Sequence, residues 1–314
     1  MNHKTKTFIL LTAITTTSLH IINRIQYSLC TGQNLLSKKE NLSYEWRFGN
    51  VHYTKSGKGA PILLIHDLSV GSSEYEFNKI KKELEKSYEV YSLDLPGYGL
   101  SDKPNMTYTN FLYVQLITDF IKNIIGKKTN IIASGDSSSI AVMATHNDAD
   151  IINNIILINP QSLYNCNQIP SKQTKALKLL IETPIIGTFL FNMLTTKGSF
   201  QSTFEHKYFF NPNNIEEKDI LTYFECSHKG GYSSKYSFAS HTARYMNTNI
   251  VHALKEINNS IFIIAGENKD DIKNTVENYL YYNSAIEISY IENTRQLPHL
   301  ERPEEVLSHI STFL

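Results

Sequence analysis

A run of small and hydroxyl-bearing residues follows one of the apolar segments of the sequence. Residues 133–139 read ASGDSSS and come directly after Ile131 and Ile132. A serine hydroxyl is almost fully protonated near neutral pH, so it becomes a nucleophile only beside a general base. Serine hydroxyls also accept hydrogen bonds from the free N–H groups of a helix's first turn. The run therefore predicts a nucleophile or a helix start, and one strand-to-helix turn can serve both.

Three further motifs occur in order along the chain, each after an apolar segment. They read LIHD at 64–67, DLPGYGLSD at 94–102 and LPHLERPEE at 297–305. Together they resemble the capped branch of the α/β-hydrolase superfamily, which holds esterases, lipases, epoxide hydrolases and haloalkane dehalogenases. The resemblance covers residues 44–314. In the middle motif, the glycines allow the sharp turn that follows the strand.

In that superfamily the nucleophile stands on a strained strand-to-helix elbow, written G-x-S-x-G. The resemblance implies Ser137 as the nucleophile, flanked by Gly135 and Ser139. Asp136 is the alternative nucleophile, because the residues two positions before and two positions after it are both small serines. This arrangement resembles the dehalogenase and epoxide-hydrolase elbow. The glycine two residues earlier favours Ser137.

The superfamily's base is a histidine near the end of the chain, in a pattern like G-H-x-P-H-x-E-x-P. Aligned on that pattern, Gln296 stands at the position of the base, and an amide does not accept a proton at accessible pH. The resemblance leaves His299, on the second histidine of the pattern, as the candidate base. For the triad acid, GENKDD at 266–271 implies Asp270, with Asp271 as the alternative.

An oxyanion hole needs two N–H groups, one from the residue after the nucleophile and one from the loop after the first core strand. By resemblance these belong to Ser138 and Leu68. Asp67 replaces the glycine of the superfamily's His-Gly pair, and a carboxylate beside developing negative charge opposes catalysis. The chain therefore departs from the superfamily pattern at Asp67, Ser139 and Gln296.

Short segments rich in β-branched residues alternate with helical patterns, as in sheets whose strands are buried on both faces. A hairpin is predicted around Gly49 and Asn50. Together with the resemblance, the pattern predicts an α/β fold with a mostly parallel twisted sheet covered by helices. The core is expected at 41–160 and 256–314, with an inserted helical cap at 161–255. The predicted core strands are 62–65, 90–93, 131–133, 155–158, 261–265 and 286–291.

Residues 1–40 are typical of a signal-anchor-like segment and a linker. Lys4 and Lys6 precede residues 7–23, which carry no formally charged group. Ser and Thr account for six of those 17 residues, so the segment is only marginally apolar for a membrane span. We expect an uncleaved membrane anchor, with a soluble amphipathic helix as the alternative. If the lysines stay on the cytoplasmic side of the membrane, the domain is extracytoplasmic. A cytoplasmic location of the domain is the alternative.

Composition excludes several other classes of protein. The chain has 314 residues, with 30 Lys+Arg against 30 Asp+Glu, and no basic run that would bind nucleic-acid phosphates. Its three cysteines, Cys30, Cys166 and Cys226, are too far apart to predict a disulfide framework or a structural zinc site. A phosphate-binding glycine loop and an H-E-x-x-H motif are also absent from the sequence, so we expect no metal and no organic cofactor.

Two functions from different classes follow. The first is a serine hydrolase that acts on a small apolar, ester or similar acyl substrate with an atypical triad. The second is a catalytically inactive protein of the same fold, anchored at a membrane, that binds a ligand or a partner. Loss of the base costs orders of magnitude in rate, which favours the second function. The retained small-x-Ser-x-small elbow favours the first.

Overall fold

One eight-stranded sheet organises the protein, for which a computed structural model describes residues 3–32, 34–36 and 42–314. The strands are short and mostly apolar, as the sequence pattern predicts. They are β1 (Leu42–Trp46), β2 (Gly49–Gly57), β3 (Ala60–Ile65), β4 (Tyr88–Leu93), β5 (Thr129–Ser134), β6 (Ile152–Ile158), β7 (Ile261–Gly266) and β8 (Glu287–Ile291).

The strand order across the sheet is β1-β2-β4-β3-β5-β6-β7-β8. From β4 to β8 every neighbouring pair is parallel, and β2 pairs antiparallel with both β1 and β4. The predicted, mostly parallel α/β sheet is thereby confirmed. The predicted hairpin is also present, but Trp46 pairs with Gly49, so its turn lies at Arg47 and Phe48, before the Gly49-Asn50 pair.

Helices cover both faces of the sheet. Their bounds are α1 (His3–Thr31), α2 (Asn78–Leu84), α3 (Asn110–Phe120), α4 (Ser138–Asn147), α5 (Leu163–Cys166), α6 (Lys172–Glu182), α7 (Ile186–Leu194), α8 (Lys197–Thr203), α9 (Glu217–His228), α10 (Ser234–Thr242), α11 (Val251–Glu256), α12 (Ile272–Tyr282), α13 (Pro298–Glu301) and α14 (Pro303–Phe313). The long connection between β6 and β7 contains α5 to α11, where the sequence predicts a cap. This connection is called the cap below.

The central strands are buried on both faces, which explains their continuous apolar sequences. Because β3, β5, β6 and β7 are parallel, their carboxyl ends meet at one edge of the sheet. In open α/β sheets this edge is where ligands bind. The loops that begin at His66, Gly135, Asn159 and Glu267 therefore lie together.

The N-terminal helix α1 packs against helices α7 and α9 of the cap. Among the described residues, no single helix has both the length and the apolar character needed to cross a membrane. One bent pair, Lys172–Glu182 with Ile186–Leu194, meets that test only when its two helices are taken together. The predicted boundary between linker and core, at residues 40 and 41, lies outside the described residues.

Candidate functional site

Gly135 forms the turn between β5 and the helix that follows it. Strand β5 ends at Ser134, and Gly135 has φ of +56°, in the left-handed region that favours glycine. A short 3-10 turn over Gly135–Ser137 leads directly into α4. The superfamily elbow places its nucleophile on this strained residue between strand and helix. The structure therefore places Gly135 at the elbow, whereas the sequence frames centred it on Ser137 or Asp136.

The carboxylate of Asp67 occupies the space beside this turn. Its Oδ1 accepts hydrogen bonds from the N–H of Leu68 and the N–H of Asp136, each at 2.8 Å. These are the N–H groups of the first core loop and of the residue after Gly135, the two sources of an oxyanion hole. A Cβ atom on Gly135 would lie 2.2 Å from the same Oδ1 atom. The side chain of Asp67 thus excludes both a nucleophile at position 135 and an oxyanion between the two N–H groups.

Tyr98 of the core and Tyr208 of the cap hold the Asp67 loop in place. The Ser69 hydroxyl donates to Asp67 Oδ2 at 2.6 Å, and the Tyr208 hydroxyl in turn donates to Ser69 Oγ at 3.1 Å. The Tyr98 hydroxyl donates to the Leu68 carbonyl at 2.7 Å. The side chains of Asp67, Tyr98 and Tyr208 are buried, and that of Ser69 is half-buried. Asp67 is therefore enclosed between the sheet edge and the cap.

The environment of Asp67 disfavours its charged form. Burial raises the pKa of the Asp67 carboxyl, and the nearby Asp136 and Glu76 carboxylates add to the effect, to give a value of about 6. The hydrogen bonds from Ser69 and from the Asp136 N–H oppose this rise without cancelling it. Asp67 consequently titrates in the mildly acidic range, unlike an ordinary surface carboxylate.

Two of the serine hydroxyls of the run donate to main-chain carbonyls. Ser137 is fully buried, and its hydroxyl donates to the main-chain carbonyl of His66. Ser139 donates to the Asp136 carbonyl at 2.9 Å. The N–H of Ser138, predicted for the oxyanion hole, donates to the carbonyl of Gly135 instead. None of these contacts is the predicted helix cap, because the N-cap residue Ser137 makes no side-chain capping hydrogen bond. Leu68 contributes the predicted N–H.

The structure does not assemble a triad from Ser137, His299 and Asp270. His299 is fully buried, and its Nε2 lies 3.3 Å from Glu76 Oε1, a charge contact without hydrogen-bond alignment. Its ring also stacks on Phe77, with centroids 5.3 Å apart. Asp270 and the alternative acid Asp271 are both exposed on the loop after β7. His299 therefore contacts the helical turn after β3, whereas Asp271 accepts hydrogen bonds from Asn274 on the helix that follows it.

Lys269, next to the predicted acid Asp270, is the residue of the loop after β7 that contacts the end of β6. Its Nζ donates to the carbonyls of Asn159 and Pro160, at 2.8 and 3.2 Å. Burial lowers the pKa of Lys269 to about 8, although Asp136 and Asp67 act in the opposite direction. The Asn159 amide also donates to the Gln296 carbonyl at 2.9 Å, which ties the loops after β6 and β8 together. The sequence prediction does not include Lys269, because only the fold brings its side chain to the end of β6.

Asp136 pairs with a histidine of the cap. Its Oδ2 lies 2.8 Å from Nε2 of His241 on α10. Burial lowers the pKa of His241, but the hydrogen bond and the charge of Asp136 outweigh it, so the net shift is upward. No sequence motif marks His241, because only the packing of α10 brings it to the elbow.

The Asp136–His241 pair forms one wall of a cavity of about 400 Å³. Every lining side chain carries a polar group. The lining residues are Asp136, Gln161, Tyr164, Asn165, Gln168, His241, Thr242, Arg244 and Asn247. The cavity therefore offers both donors and acceptors to a small molecule.

Potential metal ligands come together at a separate place. Among the described residues, His146, His252 and Glu256 form one group whose ligand atoms all lie within 4.8 Å of one another. His146 belongs to α4 and the other two to α11, and both His252 and Glu256 are exposed. The expectation of no metal and no organic cofactor stays a prediction.

The comparison with known proteins now identifies the family. A family model described as "Alpha/beta hydrolase family" matches residues 62–309, which is most of the chain. This chain belongs to the alpha/beta hydrolase family. The resemblance seen in the three sequence motifs is thereby confirmed.

One curated relative of this hydrolase-family chain is the 2-hydroxy-6-oxo-6-(2'-aminophenyl)hexa-2,4-dienoic acid hydrolase of Metapseudomonas resinovorans. The two are 30% identical over 137 residues, 41% of this chain and 47% of the relative. The chain thus aligns with less than half the length of that relative. A second is the soluble epoxide hydrolase of Corynebacterium sp. strain C12, 22% identical over 35% of this chain and 37% of the relative.

Solved structures share the fold over nearly the whole chain. The serine hydrolase CarC, involved in carbazole degradation, superposes with a TM-score of 0.70 at 15% identity, covering 87% of this chain and 98% of that one. A membrane phospholipase A described as a bacterial virulence factor gives 0.69 at 18% identity, covering 100% and 98%. At these identities the likeness establishes the α/β-hydrolase fold and nothing finer.

Proposed function

We propose that this member of the alpha/beta hydrolase family binds a small molecule without the nucleophilic hydrolysis typical of its relatives. One observation carries the proposal: Asp67 Oδ1 accepts both N–H groups of the oxyanion site, beside a glycine at the elbow. Hydrolysis by an acyl-enzyme needs a nucleophile and two free N–H donors for the oxyanion. A carboxylate held between those donors repels the charge that the transition state would develop.

The polar cavity beside Asp136 supports the binding part of the proposal. Its volume of about 400 Å³ is suited to a small ligand, and its walls are polar throughout. Arg244 and the His241–Asp136 pair supply charges of both signs. We therefore favour a small polar ligand that carries both donors and acceptors, rather than the apolar one expected from the sequence.

A serine hydrolase that uses Ser137 is the competing hypothesis, and the similarity to named hydrolases supports it. It requires that Ser137 leave its hydrogen bond to the His66 carbonyl and become exposed. It also requires that His299 leave Glu76 and approach Ser137. An aspartate nucleophile at Asp136 would instead have to give up its contact with His241.

Labelling with a fluorophosphonate, read by intact mass, tests the proposal. The wild-type protein is expected to remain unlabelled, while the CarC serine hydrolase serves as a positive control for the probe. A rebuilt variant combines Gly135→Ser and Asp67→Gly with Lys269→Asp and Gln296→His. We expect labelling of this variant at position 135, because the substitutions return a nucleophile, free N–H donors, an acid and a base.

Stoichiometric labelling of the wild-type protein that disappears in Ser137→Ala would overturn the proposal in favour of the serine hydrolase. A folded rebuilt variant that stays unlabelled would contradict the placement of the nucleophile position at Gly135. Circular dichroism and the unfolding midpoint establish that each variant is folded before its labelling is interpreted.

A further inference from the structure

Exposed apolar side chains are concentrated on three helices. Among the described residues, 22 large hydrophobic side chains are exposed, of which seven lie on α1 and six on α6 and α7. Scattered single exposures are normal on soluble proteins, whereas a concentration on adjacent elements marks an interaction surface. The thirteen are Leu10, Ile14, Ile21, Ile22, Ile25, Tyr27, Leu29, Leu177, Leu179, Leu180, Ile186, Met193 and Leu194.

Helix α1 packs on the cap through a narrow stripe that contains polar side chains. From residue 13 onward, its buried and half-buried side chains recur every three or four residues along one stripe, and the other side chains between Ala13 and Leu29 are exposed. A helix on the surface of a water-soluble domain turns its apolar stripe inward. Here three of the five inward side chains are polar, whereas the exposed side carries four isoleucines and one leucine together with Thr, Ser, His and Arg side chains. The stripe consists of Thr16, Leu19, Asn23, Gln26 and Cys30.

Hydrogen bonds join α1 to α7 along that stripe. Asn192 Nδ2 donates to Asn23 Oδ1 at 2.9 Å, and both side chains are buried. Gln26 Nε2 donates to the Asn192 carbonyl at 2.9 Å, and Asn23 donates to the Ile185 carbonyl at 3.4 Å. Polar contacts between helices with apolar outer faces are the packing mode of proteins in a lipid environment. The exposed apolar side chains of α1 and α7 are therefore carried by two helices that are fixed to each other.

The charge of the same elements is positive, although the chain as a whole is neutral. The sequence of α1 contains Lys4, Lys6 and Arg24 and no acidic residue. On α6, Lys178 pairs with Glu182, which leaves Lys172 and Lys175 exposed, and α7 carries no charged residue. Basic residues beside an apolar face attract anionic lipids, with about 1 kcal/mol for each Lys or Arg near the surface. The complementary partner is therefore an anionic membrane surface.

We propose that α1, α6 and α7 form a single face that docks on an anionic lipid bilayer. The face lies at the membrane–water interface rather than across the bilayer. The second half of α1 is held to the cap, and no single described helix meets the requirements of a membrane span. The outer surface of the cap then faces the lipid. This inference differs from the sequence expectation of an anchor made by the N-terminal segment alone, and it does not depend on the proposed function.

Co-flotation of the full chain with vesicles tests this face. We expect binding to phosphatidylcholine vesicles that contain phosphatidylglycerol, weaker binding at high salt, and little binding to pure phosphatidylcholine. The cap variant Leu179→Glu/Ile186→Glu leaves α1 intact and is expected to lower partitioning at least about tenfold. The matched control Phe111→Glu/Tyr281→Glu changes two apolar side chains outside the proposed face that are more than half exposed, as Leu179 and Ile186 are. This control should partition like the wild type.

Three results would overturn the proposal. Unchanged partitioning of the cap variant, together with loss in Ile21→Glu/Ile25→Glu, would mean that the N-terminal helix anchors the protein alone. No binding to either vesicle would exclude lipid as the partner. A dimer in lipid-free buffer that the cap variant converts to monomer would show that a second copy covers the face.

Discussion

The Asp67→Asn variant is expected to be more stable than the wild-type protein at pH 8, by about 3 kcal/mol. The pKa of Asp67 is raised to about 6 from an unfolded value of 3.8. The folded state therefore binds the proton more tightly than the unfolded state does. The stability that this proton supplies is present below about pH 4 and is lost as the pH rises through about 6. Asparagine keeps the acceptor oxygen for both N–H groups and carries no charge at any of these pH values.

Urea unfolding of both proteins from about pH 4 to pH 8 measures this effect. The two free energies of unfolding should be similar near pH 4 and diverge as the pH rises. Asp270→Asn is the control, because that aspartate is exposed and its replacement should leave the pH dependence unchanged. An Asp67→Asn variant that is less stable than the wild type at pH 8 would mean that the two N–H groups outweigh burial and hold the carboxylate charged.

Glu76→Ala should destabilise the protein by about 1–3 kcal/mol, the range for leaving a buried hydrogen-bond donor without its acceptor. Glu76 is fully buried, and its Oε1 faces His299 Nε2 at 3.3 Å. Its Oε2 accepts the N–H of Asp67 at 3.1 Å. Burial acts to raise the pKa of Glu76, but His299 and the neighbouring hydrogen bonds outweigh it and lower the value. The contribution of this carboxylate is therefore present above about pH 4.5 and is lost in acid.

Denaturant unfolding near pH 7 measures that loss, with Glu76→Gln as the matched variant. Glutamine retains an acceptor for the Asp67 N–H and removes the charge, so an intermediate loss is expected. If the alanine variant loses less than about 1 kcal/mol, the pair does not stabilise the elbow, and His299 is free to serve another role.

The sequence predicted the sheet because its signals are local. Strands such as β5 and β7 are short and apolar along their whole length, as burial on both faces demands. The motif at 94–102 carries glycines at turns that the backbone requires, so it indicated the fold reliably. Gly97 and Gly99, for example, both have positive φ in the structure.

The nucleophile position of the elbow is harder to predict from the sequence, because it depends on one backbone angle. The run ASGDSSS contains small residues at nearly every position, so spacing alone allowed several centres. Glycine is the residue that adopts positive φ at low cost, and Gly135 was itself the signal for the turn. Asp67 was recognised as a departure, but its bonds to Leu68 and Asp136 depend on loop geometry. His241 reaches the site through the packing of the cap, which no local pattern encodes.

The most direct test of the occupied elbow is the pH titration of two backbone amides by NMR. If the Asp67 carboxylate holds the N–H groups of Leu68 and Asp136, both amide resonances should shift with one shared midpoint near pH 6. The Asp67→Asn variant should show neither shift. Amides that keep the same midpoint in that variant, or that show no titration in the wild-type protein, would mean that the N–H groups are not held by Asp67 and are available to an oxyanion.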